Sequence, residues 1–174
     1  RDNSPLLLLA GRNPVTQEGH VGSRSMFIHW AQEMFDQGSM VREFVKWDYE
    51  VRDPSQVQAA IDRALEIAMA EPRGPVYLML PREMLASAYP PGKPPAELSL
   101  PTPPGPDPDA IARLAKMIDN AEFPVLLVCD VGRRSADREL LAELAERNAI
   151  AVVESSRALV SNLPSGHPMH LGLS

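Results

Sequence analysis

The stretch DPSQVQAAIDRALEIAMAEPRGPVYLML, residues 53–80, carries the signals of a helix followed by a strand. Asp53 is a good N-cap residue, and Pro54 falls at the first helical position, where its missing N–H costs nothing. Apolar residues then recur at helical spacing, at Val57, Ile61, Ala64, Leu65 and Ala68. A proline and a glycine end the helix, and the uninterrupted apolar run 76–80 predicts a buried strand.

The same pattern occurs a second time in DPDAIARLAKMIDNAEFPVLLV, residues 107–128. A further helix over 136–147 leads into a strand over 149–153, and the leucine-rich run 5–10 predicts a strand covered on both faces. Helices that alternate with short apolar strands indicate βαβ units and a parallel sheet. The predicted fold class is therefore α/β, with parallel-sheet βαβ units in two partial three-layer domains. We expect the apolar stripes of the helices to lie in the core.

Two segments of the first half have weaker signals. We predict a short helix over 27–36. Residues 40–51 are ambiguous, although the run 44–51 alternates between apolar and polar residues as a half-buried strand does.

Proline is unusually frequent, with 18 residues, and nine of them fall in PPGKPPAELSLPTPPGPDP, residues 90–108. Proline removes a backbone donor and fixes φ, so this stretch can form neither a helix nor a central strand. We predict an extended, polyproline-like linker over 89–106. It separates a first domain over 1–88 from a second over 107–174.

Composition excludes several classes of function. The net charge of −6 does not favour a nucleic-acid partner or an anionic membrane. Cys129 is the only cysteine, so the chain has no internal disulfide and no zinc site made of cysteines, as expected for a cytoplasmic protein. The apolar runs are too short to cross a bilayer, and we expect no signal peptide.

Catalytic motifs are scarce. The sequence lacks the phosphate-binding GxxxxGK[ST], the dinucleotide-binding GxGxxG, and the hydrolytic motifs HExxH and GxSxG, so we assign no catalytic residue within the chain. His167 and His170 have a spacing that suits a metal, but Pro168 lies between them and no second ligand set is near. We interpret them as two loop histidines and predict no metal site.

Two turns that follow predicted strands are candidates for ligand binding. Arg133 and Arg134 lie where a helix begins, and Arg157 follows another strand. Ligands of open α/β sheets gather at the carboxyl ends of strands, and a helix N-terminus flanked by arginines can hold a phosphate. A nucleotide site is one hypothesis, and solvated arginines beside a turn are the other. The polar pair at Gln32 and Glu33 is, by default, a solvated helix face.

Several phrases in the chain resemble those of thiamine-diphosphate-dependent enzymes of the acetolactate-synthase type. The phrase RGPVYLMLPREML, residues 73–85, is similar to the end of their pyrimidine-binding domain, and PLLLLAGRNP, residues 5–14, is similar to their strand followed by Gly-x-x-Pro. AQE at 31–33 resembles their Phe-Gln-Glu, and HPMHLG at 167–172 resembles the closing phrase of their central domain. The resemblance covers nearly the whole chain in the expected order.

This resemblance implies that the chain holds the C-terminal half of the pyrimidine-binding domain and the N-terminal half of the central, nucleotide-binding-like domain. The family's catalytic glutamate and its GDG…Asn motif for magnesium and diphosphate would lie outside the chain, which would be inactive alone. The whole enzyme would bind thiamine diphosphate and Mg²⁺, act on a small 2-oxo acid as a lyase or transferase, and form a homodimer or homotetramer, because the cofactor bridges two subunits.

The resemblance also assigns individual residues to cofactor binding. Gln32 matches the glutamine that faces the reactive end of the cofactor, and Gly11 matches the glycine of Gly-x-x-Pro. Gly132 is what remains of the triple glycine that admits FAD in acetolactate synthases, so FAD, ADP, coenzyme A or no ligand stays open for the central domain. With Arg133, Arg134 and Arg157, these complete the candidate cofactor-binding residues. The alternatives are a stand-alone nucleotide-binding module and a non-catalytic scaffold.

Overall fold

The computed structural model describes residues 3–88, 97, 99–100, 102 and 104–174. The chain divides into two compact units, unit 1 over Arg1–Pro103 and unit 2 over Pro104–Ser174. Most of the predicted linker over 89–106 lies outside the described residues, and the predicted domain boundaries stay a prediction. The parallel-sheet α/β fold class is confirmed in both units.

Unit 1 contains a three-stranded parallel sheet in the order β1-β3-β2. Its strands are β1 (Leu7–Arg12), β2 (Trp47–Glu50) and β3 (Val76–Pro81). The central strand β3 is buried at almost every position, as its apolar run predicts. All three strands run in the same direction, so their carboxyl ends reach the same edge of the sheet.

The α-helices among the described residues of unit 1 are α1 (Ile28–Ala31), α2 (Val57–Met69) and α3 (Arg82–Ala86). Asp53 caps the start of this helical segment: its carboxylate accepts the backbone N–H of Ser55 at 2.8 Å, and the 3-10 turn over Pro54–Gln56 that it caps leads into α2. One face of α2 packs on the sheet, and the core of unit 1 consists of Ala64, Ala68, Val76 and Leu78.

Unit 2 contains a second three-stranded parallel sheet, in the order β4-β5-β6. Its strands are β4 (Val125–Val128), β5 (Ala151–Glu154) and β6 (His170–Leu173). Strand β6 was not predicted. The interpretation of His170 as a loop residue is therefore wrong, since this residue begins a strand that pairs with β5.

Two helices belong to unit 2: α4 (Pro108–Asp119) and α5 (Ser135–Arg147). The predicted start of α4 is confirmed, because the Asp107 carboxylate accepts the backbone N–H of Asp109 at 3.0 Å. Helix α5 packs on the sheet, and the core of unit 2 consists of Val128, Leu141, Ala145, Val152 and Leu163. No helix among the described residues has the length and apolar character needed to span a bilayer.

Three expectations about burial and length are wrong. Strand β1 is not covered on both faces, because Leu8 and Leu9, whose side chains point to opposite faces of the sheet, are 42% and 55% exposed. The apolar stripe of α4 is not in the core, since none of its residues is buried. The helix predicted over 27–36 ends at Ala31, because His29 is its only buried residue and little packing sustains further turns.

Candidate functional site

A cavity of about 420 Å³ lies at the edge of unit 1 where β1 and β3 end. This volume is within the range of small-molecule sites, and the carboxyl ends of parallel strands are where such sites form. Its lining combines polar side chains with a few apolar ones: Gly11, Arg12, Asn13, Pro14, His29, Gln32, Met34, Gln37, Arg82 and Leu85.

Two residues predicted from the sequence line this cavity together. Gln32 is the C-cap residue of α1, and its side chain is exposed. Gly11 belongs to β1, and a Cβ added there would meet no heavy atom within 4 Å, so open space lies beside its backbone. The Gly11 carbonyl accepts a hydrogen bond from the Gln37 side chain at 3.1 Å. The structure therefore brings Gly11 and Gln32 to one cavity, although their role in cofactor binding stays a prediction.

A buried carboxylate ties the loop after β1 to the segment after β3. Glu83 is 3% exposed, and its Oε1 accepts the backbone N–H of Thr16 at 2.7 Å and the Thr16 hydroxyl at 2.6 Å. Burial raises the pKa of Glu83, but the Thr16 hydroxyl and the backbone donors outweigh it and hold this pKa below its ordinary value. This tie fixes two walls of the cavity relative to each other.

A cluster of charges holds the segment that carries Gln37. Arg42 donates to both carboxylate oxygens of Asp36 and to both of Asp48, at 2.7 to 3.0 Å. The hydrogen bonds from Arg42 lower the pKa of Asp36 and of Asp48. Gly38 lies against this cluster, and a Cβ there would be 2.2 Å from Oδ2 of Asp48. The cluster thereby joins the loop before Arg42 to strand β2.

The two arginines of the cavity differ in their partners. Arg12, at the end of β1, forms an ion pair with Glu50 at the end of β2. Arg82 instead lies 3.4 Å from the Ser25 hydroxyl and 3.3 Å from Nε2 of His29, which is itself 93% buried. Sequence reasoning missed both His29 and Arg82. The position of Arg82 directly after β3, at a strand end, was the available signal for it.

In unit 2, a single side chain fills the edge where β4 and β5 end. Asn162 is fully buried, and its Oδ1 accepts the backbone N–H of Gly132 at 3.0 Å while its Nδ2 donates to the Cys129 carbonyl at 2.8 Å. Glu154, at the end of β5, accepts the backbone N–H groups of Asn162 and Leu163 at 2.7 and 2.9 Å. These four backbone groups at the edge are thus satisfied within the chain.

The other predicted residues of unit 2 also have partners or lie in solvent. Arg133 pairs with Asp130 at 3.3 Å, and Arg134 donates to both oxygens of Asp137, which raises the pKa of Arg134. Arg157 is exposed. The structure therefore gives the two neighbouring arginines carboxylate partners within their own segment, and the assignment of Gly132, Arg133, Arg134 and Arg157 to cofactor binding stays a prediction.

Steric packing explains why residue 132 is a glycine. A Cβ there would lie 2.1 Å from the Ser161 carbonyl oxygen, a distance that no folded chain tolerates. The loop that carries Asn162 thus packs directly on the Gly132 backbone, and this packing alone requires glycine.

His167 and His170 each lie beside the carboxylate of a glutamate. Nε2 of His167 lies 3.1 Å from a Glu146 oxygen, and Nε2 of His170 lies 3.9 Å from a Glu154 oxygen. Across the part of the chain that the structure describes, no group of three or more His, Cys, Asp or Glu side chains is placed to hold a metal ion.

Together, fold and cavity define a two-unit parallel α/β protein with a polar cavity at the strand ends of its first sheet. No model of a known protein family matches the chain. Indole-3-pyruvate decarboxylase of Azospirillum brasilense is 33% identical over 171 residues, which cover 94% of the chain and 29% of that enzyme. Acetolactate synthase isozyme 1 large subunit of Escherichia coli K12 is 26% identical, over 99% of the chain and 28% of that subunit.

A solved structure gives the same result. The crystal structure of benzoylformate decarboxylase from Polynucleobacter necessarius matches 99% of the chain and 30% of its own length, with a TM-score of 0.72 and 27% identity. The chain belongs to the thiamine-diphosphate-dependent enzymes. It spans less than a third of the length of the relatives that it matches.

Proposed function

We propose that the whole protein containing this chain is a thiamine-diphosphate-dependent decarboxylase or carboligase, similar to acetolactate synthase, that acts on a small 2-oxo acid. The observation that carries this proposal is the cavity of unit 1, whose lining includes both Gly11 and Gln32. The names of the relatives support the substrate class, since indole-3-pyruvate and benzoylformate are both 2-oxo acids.

The cavity suits one end of such a cofactor. Its volume admits a small ring system, the open space beside Gly11 lets a ring approach the backbone, and Gln32 supplies an amide at the wall. When bound, thiamine diphosphate supplies the carbon nucleophile that attacks the 2-oxo carbon and accepts the electrons that remain when CO2 leaves.

The residues of the chain contribute position and exclusion of water. Gln32 orients polar groups of the ligand through its amide. Gly11 has no side chain, so the ligand can approach its backbone closely. The bond between Glu83 and Thr16 holds the walls in one geometry, which matters because a displacement of about 1 Å can cost roughly a hundredfold in rate.

We also propose that Mg²⁺ and the diphosphate are bound by parts of the whole protein outside this chain. The described residues offer no cluster of metal ligands, which supports this assignment. A homodimer or homotetramer in the cytoplasm completes the proposal. The exposed aromatic side chains of unit 1 support association with further protein surface: Phe27, Phe35 and Phe44 are all at least 79% exposed.

A nucleotide such as FAD or ADP would bind at the strand ends of unit 2. Gly132 and the arginine at 157 would be its contacts. The carboxylate partners of Arg133 and Arg134 and the bond from Gly132 to Asn162 favour an edge that is closed by the chain itself.

The test is release of CO2 by the whole protein, supplied with thiamine diphosphate and Mg²⁺, from pyruvate, indole-3-pyruvate and benzoylformate. We expect turnover of at least one acid and a fall in kcat of roughly tenfold to a hundredfold for Gln32→Ala, because ligand orientation is lost. Gln56→Ala, at an exposed glutamine outside this cavity, is the matched control and should retain kcat. A protein that releases no CO2 from any of the three acids contradicts the proposal.

A further inference from the structure

One hydrogen bond shows which ring nitrogen of His29 carries the proton. Its Nδ1 accepts the backbone N–H of Ser25 at 3.1 Å. A backbone N–H can only donate, so Nδ1 carries no proton and the ring proton resides on Nε2. His29 therefore presents an N–H donor at Nε2, on a side chain that is 93% buried.

That donor faces a second donor. Nε2 of His29 lies 3.3 Å from an Nη atom of Arg82, and a guanidinium has no acceptor atom. The contact is therefore not a hydrogen bond, whichever way the two groups are drawn. A buried N–H without an acceptor costs free energy comparable to a lost hydrogen bond, so this arrangement is complete only with an acceptor beside both groups.

We propose that His29 and Arg82 together bind the carboxylate of a small organic acid in the cavity of unit 1. One carboxylate oxygen accepts from Nε2 of His29 and the other from the Arg82 guanidinium, a pairing that suits the two-oxygen geometry of a carboxylate. Both side chains line the cavity.

The charge distribution supports an anion at this position. The charge of Arg12 is compensated by Glu50. Within the described ranges, by contrast, no carboxylate forms an ion pair with Arg82, so its positive charge is available to a ligand. A neutral amide of the same acid would satisfy the hydrogen bonds only in part and would leave this charge without a counterion.

The identification of the acid as a 2-oxo acid rests on the proposed function. If the cavity receives the reactive end of the cofactor beside Gln32, the carboxylate held by His29 and Arg82 is that of the substrate. These two residues would then position the substrate and select acids against neutral carbonyl compounds.

The test measures binding to the whole protein without thiamine diphosphate or Mg²⁺, so that no turnover occurs. Calorimetry compares pyruvate with its neutral analogue pyruvamide. We expect the wild-type protein to prefer pyruvate by roughly tenfold to a hundredfold. His29→Phe, which keeps the ring volume but removes the donor, should bring this ratio close to one. His29→Gln, whose amide can accept from Ser25 and still donate, should keep most of the preference.

Two further variants make the result independent of folding. Arg82→Met changes an exposed side chain, so it should fold as the wild type does and also lose the preference. His20→Phe, at an exposed histidine that does not line the cavity, is the matched control and should leave the ratio unchanged. Circular dichroism of each variant confirms the fold before binding is measured.

The inference is overturned if His29→Phe and Arg82→Met keep the wild-type ratio, if the wild-type protein does not bind pyruvate, or if inorganic phosphate binds more tightly than pyruvate. Its failure is separate from that of the proposed function. If the protein releases CO2 but its preference for pyruvate is unchanged by both substitutions, the proposed function holds and the carboxylate site at His29 and Arg82 is wrong. If the preference for pyruvate depends on His29 but the protein shows no turnover with the cofactor, the carboxylate site holds and the proposed function is wrong.

Discussion

The two sheets of this chain have the same number of strands and the same parallel direction, but their carboxyl edges differ. In unit 1, β1 and β3 end around a cavity whose wall holds two donors, His29 and Arg82, that face each other. In unit 2, β4 and β5 end against Asn162, which satisfies the backbone of Gly132 and Cys129. The helix-then-strand scaffold therefore does not decide whether a site exists. The side chains in the segments that follow the strands, whether helix or loop, decide it.

The chain contains its own reporters for this comparison. Both tryptophans, Trp30 and Trp47, lie in unit 1, and the only cysteine, Cys129, lies in unit 2. In a sample of this chain alone, tryptophan fluorescence follows the unfolding of unit 1, and pulse labelling of the thiol follows that of unit 2. Each substitution below can be assigned to one unit.

The largest effect on stability is expected from a substitution at the carboxyl edge of the unit 2 sheet, which Asn162 fills. Asn162→Ala removes the partners of the Gly132 N–H and the Cys129 carbonyl, and each group left unpaired in the interior costs about 1–3 kcal/mol. We expect a loss of about 3 kcal/mol from the free energy of unfolding of unit 2, measured by Cys129 labelling across a urea series. The tryptophan transition of unit 1 should not move.

Asn148→Ala is the matched control for this substitution. Asn148 is exposed, and its Nδ2 donates only to the Leu144 carbonyl at the end of α5, so its loss should cost well under about 1 kcal/mol. Equal effects of the two asparagine substitutions would show that Asn162 does not close the edge.

The stability of unit 1, whose strand ends surround the cavity, should decrease in acid because of Glu83. At pH 7, Glu83→Gln weakens its hydrogen bonds from Thr16, and we expect unit 1 to lose about 1–2 kcal/mol in urea unfolding followed by tryptophan fluorescence. Because the pKa of Glu83 in the folded protein is below its ordinary value of 4.5, its ionised form stabilises the fold. That stabilisation is present above pH 4.5 and is lost as the pH falls below this value.

The difference between wild type and Glu83→Gln should therefore shrink in acid. Glu43→Gln, at an exposed side chain, controls for the change in net charge and should leave the stability of unit 1 nearly unaltered. A gap between the wild type and Glu83→Gln that stays constant from pH 7 down to pH 3 would contradict the role of Glu83.

The smallest effect is expected at the arginines of unit 2. If Asn162 and its loop fill the carboxyl edge of the unit 2 sheet, no ligand should bind beside Arg134. Calorimetry of the whole protein with ADP, FAD or coenzyme A should then show no heat that depends on Arg134. Arg134→Gln should then change neither the heat nor the stability measurably, because its pair with Asp137 is solvent-exposed. Saturable binding that Arg134→Gln weakens would break the comparison, since both edges would then be ligand sites.

Local patterns predicted the scaffold well. Asp53 and Asp107 cap their helices as expected, and the apolar run that begins at Val76 forms the buried central strand. These features depend on residues close in sequence, where capping and periodicity operate. The family resemblance also indicated Gly11 and Gln32, which line one cavity.

Contacts between distant residues could not be predicted in the same way. His29 and Arg82 are 53 positions apart, and the bond from Gly132 to Asn162 spans 30, so no local pattern contains either pair. Strand β6 was missed because its four residues include Gly172, which has a φ of +109° and weakens any strand signal. The stripe of α4 shows that periodicity reveals an apolar face but not what covers it.

Gly132 has a consequence for how such proteins diverge. Its methyl-free backbone is required by the Ser161 carbonyl, which is part of the same polypeptide. A lineage that abandons a nucleotide would keep this glycine all the same, because replacing it would force the neighbouring loop apart. A glycine at this turn therefore reflects how two loops of the chain pack together, and its presence alone does not indicate a nucleotide site.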